Sequence, residues 1–336
     1  MVKDTQLLEC AKKILEIRGK EAVKRAETKI LRKFTGGDVV SEALRYFAHV
    51  TLHGALPVFP ALISLSCEAV GGKTKKTTSI GTAIILIAGA ADVHDDVIDQ
   101  SLIKGSKRTV LGKFGKEIAI LVGDTLLIQG LVLLQRECKL ISKKQGEKIL
   151  NSVAQASFEI CSAEALETQI KGRLDLPPEE VFEIIRLKAS IPELNMKIGA
   201  ILGNSDPKTV EMLGHFGRTY GILSTIAEEF MDVKDYREFR NRLKNECPPL
   251  PFLYALQNSR AKTKVLSLLK DVRLRRNNFE EITEIVLKSQ KVQKLKEEMI
   301  NLTQKENQRL DFVANNKTRK ELNLLLSASL EYLLGL

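Results

Sequence analysis

The chain has 336 residues, 44% of them hydrophobic, with 52 Lys+Arg against 42 Asp+Glu for a formal net charge of +10. Glycine and proline are sparse, tryptophan is absent, and no stretch alternates as strands do, which excludes a disordered chain and a β-rich one. The basic excess is spread along segments that also carry acids, as in LKSQKVQKLKEEM, so it predicts attraction for polyanions and no nucleic-acid partner.

Long stretches rich in Leu, Ile, Ala, Glu and Lys predict an all-α protein. Counted as unbroken runs, no apolar stretch is long enough for a transmembrane segment, and Met1-Val2-Lys3-Asp4 does not open a signal peptide. The five cysteines (Cys10, Cys67, Cys138, Cys161, Cys247) have neither metal-ligand spacing nor a pairing pattern, and predict buried, reduced thiols in a cytoplasmic protein.

In chain order, residues 1–35 place Leu7, Leu8, Ala11, Ile14 and Leu15 at helical spacing. Gly36-Gly37-Asp38 breaks the pattern, and a helix restarts near Ser41. Ile80 to Ala91 (IGTAIILIAGAA) carries no charge and predicts a buried helix. Continued through His94-Asp95-Asp96-Val97-Ile98-Asp99 at about 100° per residue, that helix puts Asp95, Asp96 and Asp99 on one face, with Asp92 at its edge. Like charges one turn apart repel, so such a face needs a compensating cation. Oxygen-only ligands on a rigid helix suit Mg²⁺, which takes one or two carboxylates and completes its shell with water and substrate phosphate. The alternative is a solvated acidic helix end.

The same spacing returns in Glu228-Glu229-Phe230-Met231-Asp232, again after a mostly apolar helical run, YGILSTIA. Two acidic helix faces can oppose each other inside a bundle and hold a polyanion between them through metal ions.

With these segments in hand, the chain resembles the trans-type isoprenyl diphosphate (polyprenyl) synthases over nearly its whole length. The resemblance rests on AADVHDDVID, KEIAILVGDTLL, VFEIIRLKAS, EEFMD and PLPFLYAL. It implies one helical-bundle domain over residues 1–336 with a central cavity, in which two or three Mg²⁺ ions and an allylic prenyl diphosphate meet. Asp95, Asp96, Asp99 and Asp232 would ligate metal, with Glu228 and Glu229 assisting. Lys188 and Lys104 would grip the diphosphate, and Gln169 would face it. Asp95, Asp96 and Lys188 would carry the chemistry. Ala90 and Ala91, one turn before Asp95, would leave the prenyl tunnel open. The resemblance also implies a homodimer, or a heterodimer with another prenyl synthase.

Several positions depart from the family pattern. Leu56, Pro57 and Phe59 stand where the family has a lysine and arginines for the diphosphate of isopentenyl diphosphate; Pro60 alone is kept, and His53 nearby is read as a packing or capping residue. Gly105 replaces an arginine, Lys104 another, and Lys107 and Arg108 follow as a basic loop. Gly172 stands where an aspartate follows Gln169, with Asp175 three residues on; Ala189 replaces a threonine and Ser224-Thr225 a Phe-Gln pair. The lysines after the second acidic motif are missing, with Lys234 and Lys244 the nearest candidates. Glutamates lengthen that motif by one methylene each, and metal–oxygen distances near 2.0–2.1 Å do not tolerate that without adjustment. The pattern predicts an enzyme that ionises an allylic diphosphate with a diverged acceptor site. The alternatives are a terpene-synthase-like enzyme that does not use isopentenyl diphosphate and a non-catalytic subunit of an active synthase.

Overall fold

The structure, a computed structural model, describes residues 2–269 and 275–334. From Asn258 onward the sequence predicts amphipathic helices (VLSLLKDV, EEITEIVLKSQKVQKLKEEMINLTQKE and ELNLLLSASLEYLLGL), and these fall within it except for residues 270–272 and 335–336, which lie outside the described residues.

The first helix, α1 (Val2–Lys33), buries Ala11, Leu15, Ala22, Ala26 and Ile30, spaced four or seven apart so that one stripe faces inward. At the glycine break Asp38 caps α2 (Val39–Phe47): its Oδ1 accepts from the Ser41 N–H at 2.9 Å. A π-helical turn at Ala48–Leu52, which no sequence pattern foretold, leads into α3 (Val58–Ala69), nine of whose residues are buried.

The helix α4 (Thr77–Ile98) runs through the predicted apolar stretch and on into the acids, and is buried from Ile80 to Leu86. It lies against α6 (Lys116–Cys138), where Gly123 and Gly130 sit seven residues apart on the contact. A Cβ on Gly130 would fall 2.6 Å from the Ile87 side chain, so only glycine permits this approach. Between them a two-stranded hairpin, β1 (Ile103–Lys104) and β2 (Lys107–Arg108), turns at Gly105 and Ser106 and is followed by α5 (Val110–Phe114).

The helices α7 (Lys143–Ile170), α8 (Pro178–Lys188), α9 (Ser190–Leu202) and α10 (Pro207–Asp232) complete the wall around the site. α11 (Tyr236–Asn245), α12 (Leu250–Leu256), α13 (Ser259–Leu269), α14 (Arg276–Lys288), α15 (Gln290–Arg309) and α16 (Asn316–Leu334) cover one end. The larger apolar core runs from α1 to α16; the smaller is formed by the second half of α1, α2, the second half of α4 and the start of α6.

Two helices bear on the transmembrane expectation, by length and composition only. Thr74–Ile98 and Lys116–Cys138 are long and apolar enough to cross a bilayer by length and composition, with mean hydropathy 1.3 and 1.9. Counting only unbroken apolar runs missed them because each includes scattered polar residues. The first is packed inside the bundle; α6 instead leaves Ile120, Leu121, Ile128, Leu131 and Val132 exposed on its outer face.

Candidate active site

The C-terminal end of α4 carries Asp92, Asp95, Asp96 and Asp99, and the structure divides them among three directions. Lys104 on β1 reaches back so that Nζ stands 2.7 Å from Asp92 Oδ1 and 2.9 Å from Asp96 Oδ1. The Asp96 contact has ion-pair distance without hydrogen-bond alignment, and Oδ1 is buried with no aligned donor. Asp99, the C-cap of α4, accepts from Lys171 Nζ at 2.8 Å. The Asp95 carboxyl, between them, has neither a hydrogen bond nor an ion pair among the described residues. Burial, then Glu164 and Asp99, push its carboxyl up to about 8, and burial pushes Asp96 up to about 6 against the pull of Lys104.

Lys188 closes α8 and stands 2.9 Å from Glu164 and 2.5 Å from Glu167 on α7. Burial works against its charge, but Glu167 and Glu164 more than offset it, and its pKa lies above the ordinary lysine range. Lys104 is held protonated in the same way, by Asp92 and Asp96 against burial. Six carboxylates (Asp92, Asp95, Asp96, Asp99, Glu164, Glu167) thus surround three lysines, an arrangement with negative charge in excess.

Glu164, Glu167 and Lys171 were not singled out in the sequence. The acids sit three apart on α7, a helix-face signal that could have been read. Lys171 could not, because its partner lies 72 residues away. Its placement depends on Gly172, whose φ of +69° is the left-handed conformation that glycine adopts freely; its N–H donates to Glu246 O at 3.0 Å. The aspartate missing from this position is therefore a turn residue here. The same holds for Gly105, at φ +60°, in the two-residue turn of the hairpin. Lys107 and Arg108 are exposed on that hairpin, and Asp175 is exposed beside Arg173 at 3.3 Å.

Two cavities meet at this cage and share Ala88, Asp92, Lys188 and Ile191 as walls. The larger, about 1040 Å³, runs between α4, α6, α7 and α9 and is lined chiefly by apolar groups, with Asp95, Gln169, Ala90 and Ala91 among them. The smaller, about 590 Å³, lies between α3 and α10. Its walls include Leu56, Pro57, Phe59, Tyr220, Ser224 and Thr225, and among the described residues Lys188 is the one cation that lines it. His53 does not pack as expected: its side chain is 74% exposed, with Nδ1 3.3 Å from Glu27.

The second acidic motif closes α10. Glu228 faces the smaller cavity and has no hydrogen bond or ion pair among the described residues; burial, then Asp232 and Glu229, push it up to about 7. Glu229 and Asp232 turn instead to Arg242 on α11, whose Nη2 is 2.7 Å from Glu229 and Nη1 2.5 Å from Asp232. Burial holds Asp232 near 6 in spite of that partner. Lys234 lines a separate cavity with Arg237 and Arg276. Among the described residues, no three carboxylate, histidine or cysteine side chains converge into a ready-made metal cage.

The geometry can be set beside known proteins. A family model for polyprenyl synthetase matches residues 41–318. A short chain isoprenyl diphosphate synthase of Methanothermobacter thermautotrophicus is 31% identical over 198 residues, 58% of this chain and 60% of that protein. A geranylgeranyl diphosphate synthase of Sulfolobus acidocaldarius is 25% identical over 205 residues, 61% and 62%. The chain thus aligns with somewhat less than two thirds of these relatives' lengths. In fold, it superposes on the geranylgeranyl pyrophosphate synthetase of Pyrococcus horikoshii with a TM-score of 0.80 at 24% identity, covering 96% of this chain and 98% of that one. For a polyprenyl synthase of Caulobacter crescentus the TM-score is 0.79 at 20% identity, with 96% and 97% covered. The helices, the acidic end of α4 and the match across residues 41–318 agree: the chain belongs to the polyprenyl synthetase family.

Proposed function

We propose that this protein is a Mg²⁺-dependent prenyltransferase that ionises an allylic prenyl diphosphate and passes the prenyl group to an acceptor other than isopentenyl diphosphate. The observation that carries this reading is the pair of cavities: both open on the carboxylate–lysine cage, and the smaller offers, among the described residues, no cation besides Lys188. A diphosphate-bearing acceptor would lie there against Leu56, Pro57 and Phe59 with its charge unneutralised, which is strongly unfavourable.

The residues of α4 fit a divalent cation. Asp95 is unpartnered in an excess of negative charge, and Mg²⁺ characteristically uses one or two carboxylates plus substrate phosphate in place of an all-protein cage. Asp95 would hold it, with Asp99 and Asp96 within reach of the same region; bound there, Mg²⁺ would neutralise the diphosphate oxygens and favour their departure. Lys188, fixed by Glu164 and Glu167, faces both cavities and would grip the leaving diphosphate, with Lys104 assisting from the hairpin. The apolar tunnel, at the upper end of ordinary ligand-pocket volumes of roughly 300–1,000 Å³, would take the prenyl chain and exclude water from the cation. The five cysteines are all unpaired, as a reducing cytoplasm would leave them.

Calorimetry tests the two chambers separately. A geranylgeranyl thiolodiphosphate should bind with Mg²⁺, and isopentenyl diphosphate should show no heat at millimolar concentration in its presence. Micromolar binding of isopentenyl diphosphate would defeat the reading of the smaller chamber.

A second reading has an observation of its own. The exposed apolar face of α6, joined by Phe158 at 70% exposure on α7, is the kind of patch that another subunit covers. We take it as a homodimer surface; a non-catalytic subunit would use the same face to pair with an active synthase. Gel filtration of the protein alone and mixed with a prenyl synthase distinguishes these: a dimer alone supports the first, and a monomer that shifts only on mixing supports the second.

A further inference from the structure

We infer that Glu229 and Asp232 of the Glu-Glu-x-x-Asp segment of α10 are not metal ligands: the Arg242 guanidinium takes the place of a metal beside them as a fixed internal cation, and the two acids lock α10 to α11 and α12. In the arrangement that the family implies, this motif faces the metals; Glu229 and Asp232 do not fit that role here.

The contacts of Arg242 account for its whole fork. Nη1 donates to Asp232 Oδ2 at 2.5 Å, Nη2 to Glu229 Oε1 at 2.7 Å, and Nε to Cys247 O at 2.8 Å, with Glu246 Oε2 3.3 Å from Nε. The residue is only 8% exposed. A planar guanidinium matched to two carboxylates in this way is a strong, geometrically specific pairing. Glu229 has no oxygen left over. Its Oε2 accepts the Leu250 N–H at 2.7 Å, one of the free N–H groups at the start of α12, and the residue is 6% exposed.

A metal ion chelated between Glu229 and Asp232 would have to displace Arg242, leaving a buried guanidinium with one carboxylate, Glu246, and, through Glu229, releasing the first turn of α12. Stranding a buried charge in this way is costly. The lock also reaches the first motif. Glu246 O, next to Cys247, accepts the Gly172 N–H, and Gly172 sets the turn that presents Lys171 to Asp99. Of the motif's three acids only Glu228 faces a cavity. Glu228 alone of the three is left open to a ligand, so most of the protein's cation demand falls on α4, with at most that one carboxylate facing it from α10.

The test is thermal unfolding of the metal-free full chain, with Glu229→Gln, Asp232→Asn and Arg242→Met beside wild type. Metal ligands held together without their metal repel one another, so neutralising one would raise the Tm. Partners of Arg242 behave oppositely: each substitution should lower the Tm, by roughly 5–10 °C for the most buried partner, Glu229. If Arg242→Met does not fold, the two nearly isosteric acid variants decide alone. A Tm that rises or stays level in both would overturn the inference.

A count of bound Mn²⁺ by electron paramagnetic resonance, with farnesyl thiolodiphosphate present, gives a second readout that rests on the proposed donor site. Wild type, Glu229→Gln and Asp232→Asn should bind the same number of ions with affinities within about threefold. Loss of an ion, or a tenfold weakening, in either variant would also overturn the inference. Wild type that binds no Mn²⁺ at all would count against the donor site instead, and the Tm comparison would still decide the lock.

Discussion

The two acidic segments share one spacing and end in opposite states. At the end of α4, Lys104 and Lys171 each approach from one side, Asp95 is left without a partner, and the group opens on two cavities. At the end of α10, one buried arginine gathers Glu229 and Asp232 and closes the space between helices. Identical patterns of acids along a helix thus say little about what neutralises them. That is decided by the cation that the fold brings from elsewhere, and by whether the place stays open to a ligand.

The largest effect that sharpens this contrast belongs to Asp95. Asp95→Asn should lower diphosphate release from an allylic donor by about 100-fold or more, the scale on which removing a group that stabilises developing charge acts. The same change should raise the metal-free Tm, because burial, Glu164 and Asp99 push the folded carboxyl up to about 8, so at neutral pH it must take up a proton on folding, a cost that an asparagine does not carry. A variant that loses stability instead would show that Asp95 is already paired.

Next comes the tunnel. Ala91→Phe should fill the larger cavity close to the cage and cut the use of geranylgeranyl diphosphate about tenfold relative to geranyl diphosphate, measured as the ratio of kcat/KM values. An unchanged ratio would place the donor chain elsewhere.

The pH dependence follows from groups raised by the fold. Asp95 and Glu228, with folded pKa values of about 8 and 7, bind protons more tightly folded than unfolded. Their contribution to stability is therefore largest below the ordinary carboxylate range and is lost as pH rises through 7 and 8. The metal-free Tm should climb as pH falls from 8.5 to 5, and Glu228→Gln should flatten that climb while raising the Tm at pH 8.5. A Glu228→Gln curve parallel to wild type would mean that Glu228 is solvated.

The smallest effect tests the link between the motifs. Gly172→Ala forces a side chain into a backbone with φ of +69° and should cost about 1 kcal/mol by denaturant unfolding. It should also weaken metal binding at α4 by loosening Lys171.

Much of this was legible in the sequence because it depends on neighbours. The uncharged run from Ile80 to Ala91 specified a buried helix, and the acids that follow continue it to Ile98. The glycine break before Asp38 and the start of α8 at Pro178 lie where local chemistry puts them. The partners of the acids were not legible. Lys171 meets Asp99 across 72 residues and Lys188 meets Glu167 across 21, and only tertiary packing makes those pairs. Arg242 was passed over because an arginine on a polar helix ordinarily faces solvent. Gly105 and Gly172 read as lost charges until their positive φ angles showed them to be turn residues.

The central claim is that the chain activates an allylic diphosphate but does not condense it with isopentenyl diphosphate. The most direct measurement is diphosphate release from geranyl, farnesyl and geranylgeranyl diphosphates with Mg²⁺, each with and without isopentenyl diphosphate. When its own acceptor is absent, the allylic cation would lose a proton to the departing diphosphate or be captured by water. The account predicts slow release from at least one donor by this route, at a rate that isopentenyl diphosphate leaves unchanged, and its loss in Asp95→Asn. Release that occurs only when isopentenyl diphosphate is present would contradict it, and would mean that the apolar chamber around Leu56, Pro57 and Phe59 takes the ordinary acceptor after all.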